Sequence, residues 1–522
     1  MKSNNITKLS LIALLIPCIF LTSCASLINS KKQKVTIHKN NEDKILVNNE
    51  EPSMNKGKYL FKRNAKSKQI TIKTEGYMDR NIVAVQYKRS LLYIFSLIPF
   101  GIYVLPPLID NGPKAFNYQK EIDVREVEIV PEILEISKES KELQIKKLSI
   151  DLDAESMRYD YYPKYKNFLK NEAVDKSNSK KPFQLENTTF SYILNKQLKE
   201  KGYIDTTKRI LKNSYINNML LNAEINDIKL SKVNAKRSSD FIFLDLSIEW
   251  KLMDYYGGTV FTKITDTRSG QYSTSLKPFE GKTYSDLAIL DAVKAGFSLF
   301  VNSDKVQKLM KDRSIIEKEK KAPDIEVVTK GKYVSSFSEA VASTVTIKNK
   351  DGFGSGFLVS DDGYLVTNYH VVSDTAELKV ELNDKTKKDV EIVRASKIYD
   401  LALLKIDLDD GSDLKPFKIK KSKDIEVATE VYAVGTPTAR DLNQSITQGI
   451  ISGIRSFSDT TTTKLIQTDA SVNGGNSGGP LIFKDGTVVG VVSSKVRGFS
   501  IEGVAFGIPA YNIMERLNLI IK

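Results

Sequence analysis

The run Gly474-Gly475-Asn476-Ser477-Gly478-Gly479-Pro480 sets one serine between glycines near the end of the chain. A serine hydroxyl is a poor nucleophile at neutral pH. To attack a carbonyl it needs a base within hydrogen-bond reach and donors for the oxyanion that forms. Glycines lack a Cβ, so they allow a sharp turn and bring backbone N–H groups close to a substrate carbon; the best placed donors are Gly475 and Ser477. Taken alone, such a run more often marks a surface turn.

The chain has two histidines in 522 residues. One of them, His370, closes Leu365-Val366-Thr367-Asn368-Tyr369-His370-Val371-Val372, an apolar β-type run that follows a turn at Asp361-Asp362-Gly363. Histidine is the usual general base near neutral pH, with an ordinary pKa of about 6.5. A carboxylate that accepts the Nδ1 proton would orient it and steady the imidazolium. Asp400 is the candidate, because it directly precedes the apolar strand Leu401-Ala402-Leu403-Leu404. The order His370, Asp400, Ser477 is that of chymotrypsin-type enzymes, not of subtilisins or α/β-hydrolases.

At this point a resemblance becomes plain. Residues from about 335 to 515 resemble the trypsin-like protease domain of the HtrA/DegP family through Gly354-Ser355-Gly356-Phe357, Thr367 to Val372, Tyr399 to Lys405, Ala433-Val434-Gly435-Thr436-Pro437, Thr447 to Ser452, Gln467-Thr468-Asp469-Ala470, the serine turn and Gly503 to Pro509. The resemblance implies an all-β, chymotrypsin-like double barrel over 333–522 with His370, Asp400 and Ser477 as its triad, the N–H groups of Gly475 and Ser477 as its oxyanion hole, and protein or peptide substrates. Trimer formation is common in the family, although the usual aromatic-rich N-terminal segment is not identified in this chain. The family commonly carries PDZ domains after the protease. This chain ends at Lys522, soon after Pro509, so no C-terminal PDZ domain is expected and peptide sensing would fall to the N-terminal part or to loops.

Two expectations concern residues near the serine. Digestive relatives have an aspartate just before the nucleophile that pairs with a newly cut N-terminus; Asn476 stands there and cannot make that ion pair, so activation is expected not to depend on zymogen cleavage. A pocket for lysine or arginine would need a buried carboxylate. By resemblance the pocket is lined by Ser471, Val472, Val492 and Ser493, none acidic, which favours small or medium apolar side chains. No cofactor is expected. No metal is either, since paired His or Cys spacing is missing.

The chain begins with Lys2 and Lys8, a mainly apolar run to Phe20, and Leu21-Thr22-Ser23-Cys24. This reads as a secretory signal over 1–23. Its end resembles the bacterial lipobox, whose cysteine is acylated; lipid on Cys24 would anchor the protein to a membrane and place it in the bacterial cell envelope, facing the periplasm or the exterior. With Cys18 in the leader and Cys24 lipidated, no pair of cysteines remains to form a disulfide.

Net charge is +14. No nucleic acid is expected as a partner, because an exported protein rarely meets it and no aromatic RNA-binding motif is present. Lys31, Lys32, Lys34 and Lys39 fall just behind the lipid, where anionic headgroups would attract them.

Upstream of the protease the expectation is of two further domains. Residues 24–125 read as a lipid-anchored β-rich domain, with polar and apolar residues alternating in Gln33 to His38 and Gln69 to Lys73. Thr71 to Tyr77 resembles the PEGA-type β-modules of surface lipoproteins. Within it, Leu91 to Ile109 carries no charged residue yet contains Pro99, Pro106 and Pro107. A membrane-facing hairpin, a buried core element and a spanning helix all stay open for this stretch. Residues 140–310 read as an α+β domain, with helical spacing in Phe190 to Lys201 and Tyr284 to Met310, strands between, and Trp250 as core packing. Residues 311–332 read as a polar linker. The whole is a multidomain, membrane-anchored serine endopeptidase acting on unfolded or exposed envelope proteins. The alternative is an envelope assembly or binding lipoprotein whose protease-like domain is latent or scaffolding.

Overall fold

The computed structural model describes residues 30–64, 66–86, 88–89, 116–125, 127–137, 140–150, 157–175, 187–204, 215–235, 240–274, 283–311, 322–350, 352–373, 377–409, 411–436, 444–457, 464–493 and 503–522. The leader, Cys24, the apolar stretch 91–109 and residues 312–321 of the linker lie outside them. Among the described residues no helix is long and apolar enough to cross a membrane.

Alternation builds the first unit. In strand Lys32–His38 the side chains of Gln33, Val35 and Ile37 are buried and their neighbours are not, the period of a strand with one face on a core. It pairs antiparallel with Lys58–Lys62 and parallel with Glu121–Asp123. A second sheet, Lys44–Val47, Lys68–Lys73 and Arg80–Ala84, closes over the same core, which holds Val35, Phe61, Ile70, Ile72 and Tyr118. His38 sits half-exposed on its strand, near Glu121.

The next unit is a seven-stranded sheet covered by helices. Its centre is three long antiparallel strands, Asn218–Val233, Phe241–Asp254 and Thr259–Arg268. A bulge between Ile225 and Asp227 shifts the alternation by one residue, so that Leu221, Ala223 and Ile225 before it and Ile228 and Leu230 after it all meet the same core. Helices Asn187–Glu200 and Tyr284–Val301 supply the other half of that core. The apolar spacing expected to run unbroken to Met310 is divided at Asn302 and Ser303, and a separate helix, Asp304–Lys311, follows. Trp250 is buried: its Nε1 donates to Thr265 Oγ1 at 2.8 Å and its ring stacks on Phe300. This unit is stitched to the first through Gln271, whose N–H donates to Asn81 O at 2.8 Å and whose carbonyl accepts from Gln69 Nε2 at 2.8 Å.

The C-terminal part is built from two β-layers that differ in closure. Strands Glu430–Gly435, Ser445–Ser456, Lys464–Thr468, Ala505–Pro509, Val488–Ser493 and Pro480–Ile482 form a closed barrel around Val431, Ile466, Leu481 and Val489. The preceding sheet runs Lys387–Lys388, Lys379–Glu381, Thr344–Lys348, Phe353–Leu358, Tyr364–Thr367, Leu401–Lys405, Glu391–Ser396 and is an open path among the described residues. Its end strands are Lys387–Lys388 and Glu391–Ser396. The three peptide steps between them span at most about 11 Å, so the sheet curls nearly back onto itself. Phe357, Phe417, Val434, Val491 and Ile508 fill the space between the two layers.

Candidate active site

The imidazole and the carboxylate come from the open sheet. Strand Tyr364–Thr367 ends in the one-turn helix Tyr369–Val372, which carries His370. Asp400 precedes strand Leu401–Lys405 and is fully buried, with a left-handed backbone at φ +54°, a conformation that Asp tolerates better than most residues. That twist turns its carboxylate back toward the helix. Oδ1 accepts the backbone N–H of His370 at 2.9 Å and Oδ2 contacts ring Nδ1 at 2.8 Å. Asn368 Nδ2 donates to the Asp400 carbonyl at 2.9 Å, fixing the two segments a second time. With Nδ1 donating to the carboxylate, Nε2 is left as the basic nitrogen.

The serine comes from the closed barrel. A short turn, Gly474–Asn476, delivers Ser477, which is 1% exposed, and Gly478 follows at φ +85°. Glycine is required by space at Gly475, Gly478 and Gly479. A Cβ on Gly475 would lie 2.0 Å from Thr436 O, and one on Gly478 would lie 2.2 Å from Ser355 O. The two layers meet at Gly354. A Cβ there would stand 2.6 Å from Val371 Cγ2 and 3.0 Å from Ser477 O, so the histidine helix and the serine peptide both rest against this one residue.

Asn476 is buried, and its Oδ1 has no hydrogen-bond partner among the described residues. A carboxylate in that place would be charged and unpaired. The residues expected to line a pocket divide. Ser471 is exposed and Val472 half-buried beside the serine turn. Val492 belongs to the apolar cluster inside the barrel, and Ser493 directs its hydroxyl to Asp400 Oδ2 at 3.5 Å. Sequence reasoning missed that second role. The signal was a hydroxyl directly after the run Val488 to Val492, which carries no polar side chain, where a buried polar group must find a partner.

Among the described residues no group of His, Cys, Asp or Glu side chains is arranged to hold a metal ion. A cavity of about 610 Å³ lined by Asp79, Arg80, Asp245, Arg268 and Asp291 lies between the two upstream units and includes none of the three candidate catalytic residues.

Residues 354–491 match the family described as trypsin-like peptidase domain. The chain is 36% identical over 188 residues to Serine protease Do-like HtrA of Bacillus subtilis, covering 34% of this chain and 41% of that protein. It is 41% identical over 173 residues to a probable periplasmic serine endoprotease DegP-like of Pseudomonas fluorescens, covering 33% and 35%. It is 33% identical over 258 residues to Protease Do-like 1, chloroplastic, of Arabidopsis thaliana, covering 45% and 55%. The chain thus spans between about a third and just over half of the length of these relatives. Among solved structures, a serine endoprotease from Yersinia pestis matches at 34% identity and a TM-score of 0.30, covering 36% of this chain and 68% of that one. The C-terminal part of this chain is a trypsin-like peptidase domain, with HtrA/DegP serine proteases among its homologues.

Proposed function

We propose that the chain is a serine endopeptidase that hydrolyses peptide bonds of unfolded or exposed envelope proteins and is held to a membrane through lipid on Cys24. The observation that carries the catalytic part is the paired contact of Asp400 with the backbone and ring of His370, at 2.9 and 2.8 Å, in a helix that shares Gly354 with the peptide of Ser477. In this reading Nε2 of His370 takes the Ser477 proton as the hydroxyl attacks the peptide carbonyl. The buried carboxylate of Asp400 stabilises the imidazolium, and the N–H groups of Gly475 and Ser477 receive the oxyanion. The imidazolium then gives its proton to the leaving amine, and water, activated by the same nitrogen, hydrolyses the acyl-enzyme.

The test is direct. Ser477→Ala should abolish labelling by a fluorophosphonate and lower casein cleavage by at least about a thousandfold. Unchanged cleavage would remove Ser477 from the reaction, and a folded wild-type chain that never labels would favour a latent or scaffolding domain. For the anchor, Cys24→Ala should move the protein from the membrane to the soluble fraction. Retention on membranes would point instead to the stretch 91–109.

A further inference from the structure

The loop between strands Phe241–Asp254 and Thr259–Arg268 is Tyr255-Tyr256-Gly257-Gly258, and it braces itself. Asp254 Oδ1 accepts the N–H of Tyr256 at 3.0 Å and that of Gly258 at 2.9 Å, the Asp254 N–H donates to Gly258 O at 2.9 Å, and Gly257 takes φ +97°. The loop belongs to the helix-covered sheet, but its tip rests on the peptidase domain, against the segments that present His370 and Asp400.

Tyr256 meets the ring of Tyr369 edge-on, with centroids 4.7 Å apart, and its carbonyl accepts from Ser373 Oγ at 3.4 Å. Tyr369 and Ser373 are the first residue and the C-cap of the helix that carries His370. The Tyr256 hydroxyl donates to the carbonyl of Lys397, in the turn that leads into Asp400. Asp254 Oδ2 takes the Lys397 ammonium at 3.3 Å, and that ammonium also lies 5.5 Å from the Tyr369 ring centre. Burial alone would pull Lys397 down, but Asp254 and Tyr369 together, through charge and hydrogen bonding, leave the ammonium raised. Tyr255 packs edge-on to Tyr256, and both lie against the core cluster containing Tyr399. Burial, with the Asp400 charge adding to it, pushes the Tyr255 phenol up, which places that ring within the field of the carboxylate. One rigid hairpin therefore holds both ends of the histidine helix and the turn that presents the aspartate.

We propose that the Asp254–Gly258 hairpin is a positioning element for the His370–Asp400 pair, so that the upstream α+β unit sets the turnover rate of the peptidase domain through Tyr256 and Lys397. This rests on the serine-endopeptidase reading. Hairpin and catalytic segments meet only in the folded whole, so anything that lifts the upstream unit away would loosen the imidazole and its carboxylate together.

The experiment uses the full chain, with a peptide substrate and fluorophosphonate labelling read side by side. Tyr256→Ala and Lys397→Met should each lower kcat about tenfold with KM within twofold of wild type, and labelling should slow in parallel. Tyr256→Phe, which keeps the ring, and Lys397→Arg, which keeps the charge, should hold most of the rate. Variants that melt earlier yet keep the wild-type kcat would show that the contact only glues two units, and would overturn the proposal. A raised KM at constant kcat would overturn it too. If Tyr256→Ala does not fold, the Lys397 variants, at a side chain 55% exposed, carry the same readouts. Absence of labelling in the wild type would defeat the endopeptidase reading itself, and this inference with it.

Discussion

The backbone N–H of Ser355 donates to the carbonyl of Ser477 at 2.7 Å, tying the open sheet to the peptide of the proposed nucleophile. The Ser355 side chain adds to this. Its hydroxyl, fully buried, donates to Gly475 O at 2.7 Å and accepts the N–H of the half-buried Thr436 at 2.9 Å. Ser355→Ala strands a buried acceptor and a part-buried donor at once. It should cost about 1–3 kcal/mol of stability and lower kcat more than it raises KM. Denaturant unfolding and peptide kinetics on the same preparation would check both; a variant as stable as wild type would mean that neither bond matters.

Gly475→Ala tests the turn itself. The added Cβ would sit 2.0 Å from Thr436 O, so the peptide before Ser477 must shift and take its N–H groups with it. Displaced oxyanion donors should cost about a hundredfold or more in kcat. Circular dichroism should stay native while turnover falls. Full activity would show that the donors lie elsewhere.

Asp291 gives a pH dependence. It accepts the N–H of Gly270 at 2.6 Å, and burial raises its pKa to about 6. Lys294, Asp79 and the Tyr272 hydroxyl face it. The folded state therefore holds this proton more tightly than the unfolded one. Its contribution is fully present below about pH 4, the ordinary aspartate value, and is lost as pH rises through about 6. Asp291→Asn should remove this slope, gaining on the wild type above pH 6 by up to a few kcal/mol. Parallel stability curves for the two proteins from pH 4 to 8 would contradict it.

Arg80 and Asp43 form a buried ion pair at 2.5 Å, with side-chain exposures of 4% and 0%. Thr74 Oγ1 donates to the same carboxylate oxygen at 2.6 Å and the Asn40 N–H donates to the other at 3.0 Å. Arg80→Met removes the only cation in this set and leaves an uncompensated buried charge, at a cost of about 3–5 kcal/mol. Thermal unfolding should show the loss, with proteolysis appearing first in residues 32–84. A change under 1 kcal/mol would mean that water already reaches the carboxylate.

Local chemistry made part of this molecule legible. The glycines around Ser477 announce a tight turn because nothing larger fits, and Asp400, an ordinary turn residue when taken alone, stands out because it completes the order His370, Asp400, Ser477. The long central strands were visible from alternation, except where the bulge at Ile225 and Asp227 broke its phase. What stayed hidden depends on partners far away in sequence. Nothing in the neighbourhood of Ser493 names Asp400, and the Tyr256 hydroxyl finds Lys397 141 positions later. The division of the last long helix at Asn302 was missed because Val306 and Met310 keep facing the same core after the break.

The imidazole and its carboxylate ride on an open, curled layer, whereas the serine rides on a closed one, and the bonds of Ser355 to Gly475, Thr436 and Ser477 tie the two together. Inactivation then needs no melting. A slip of an ångström between two intact halves would silence the chemistry while leaving nearly every strand pair in place, so loss of turnover on mild heating or under pressure should be abrupt, reversible and invisible to far-ultraviolet spectra.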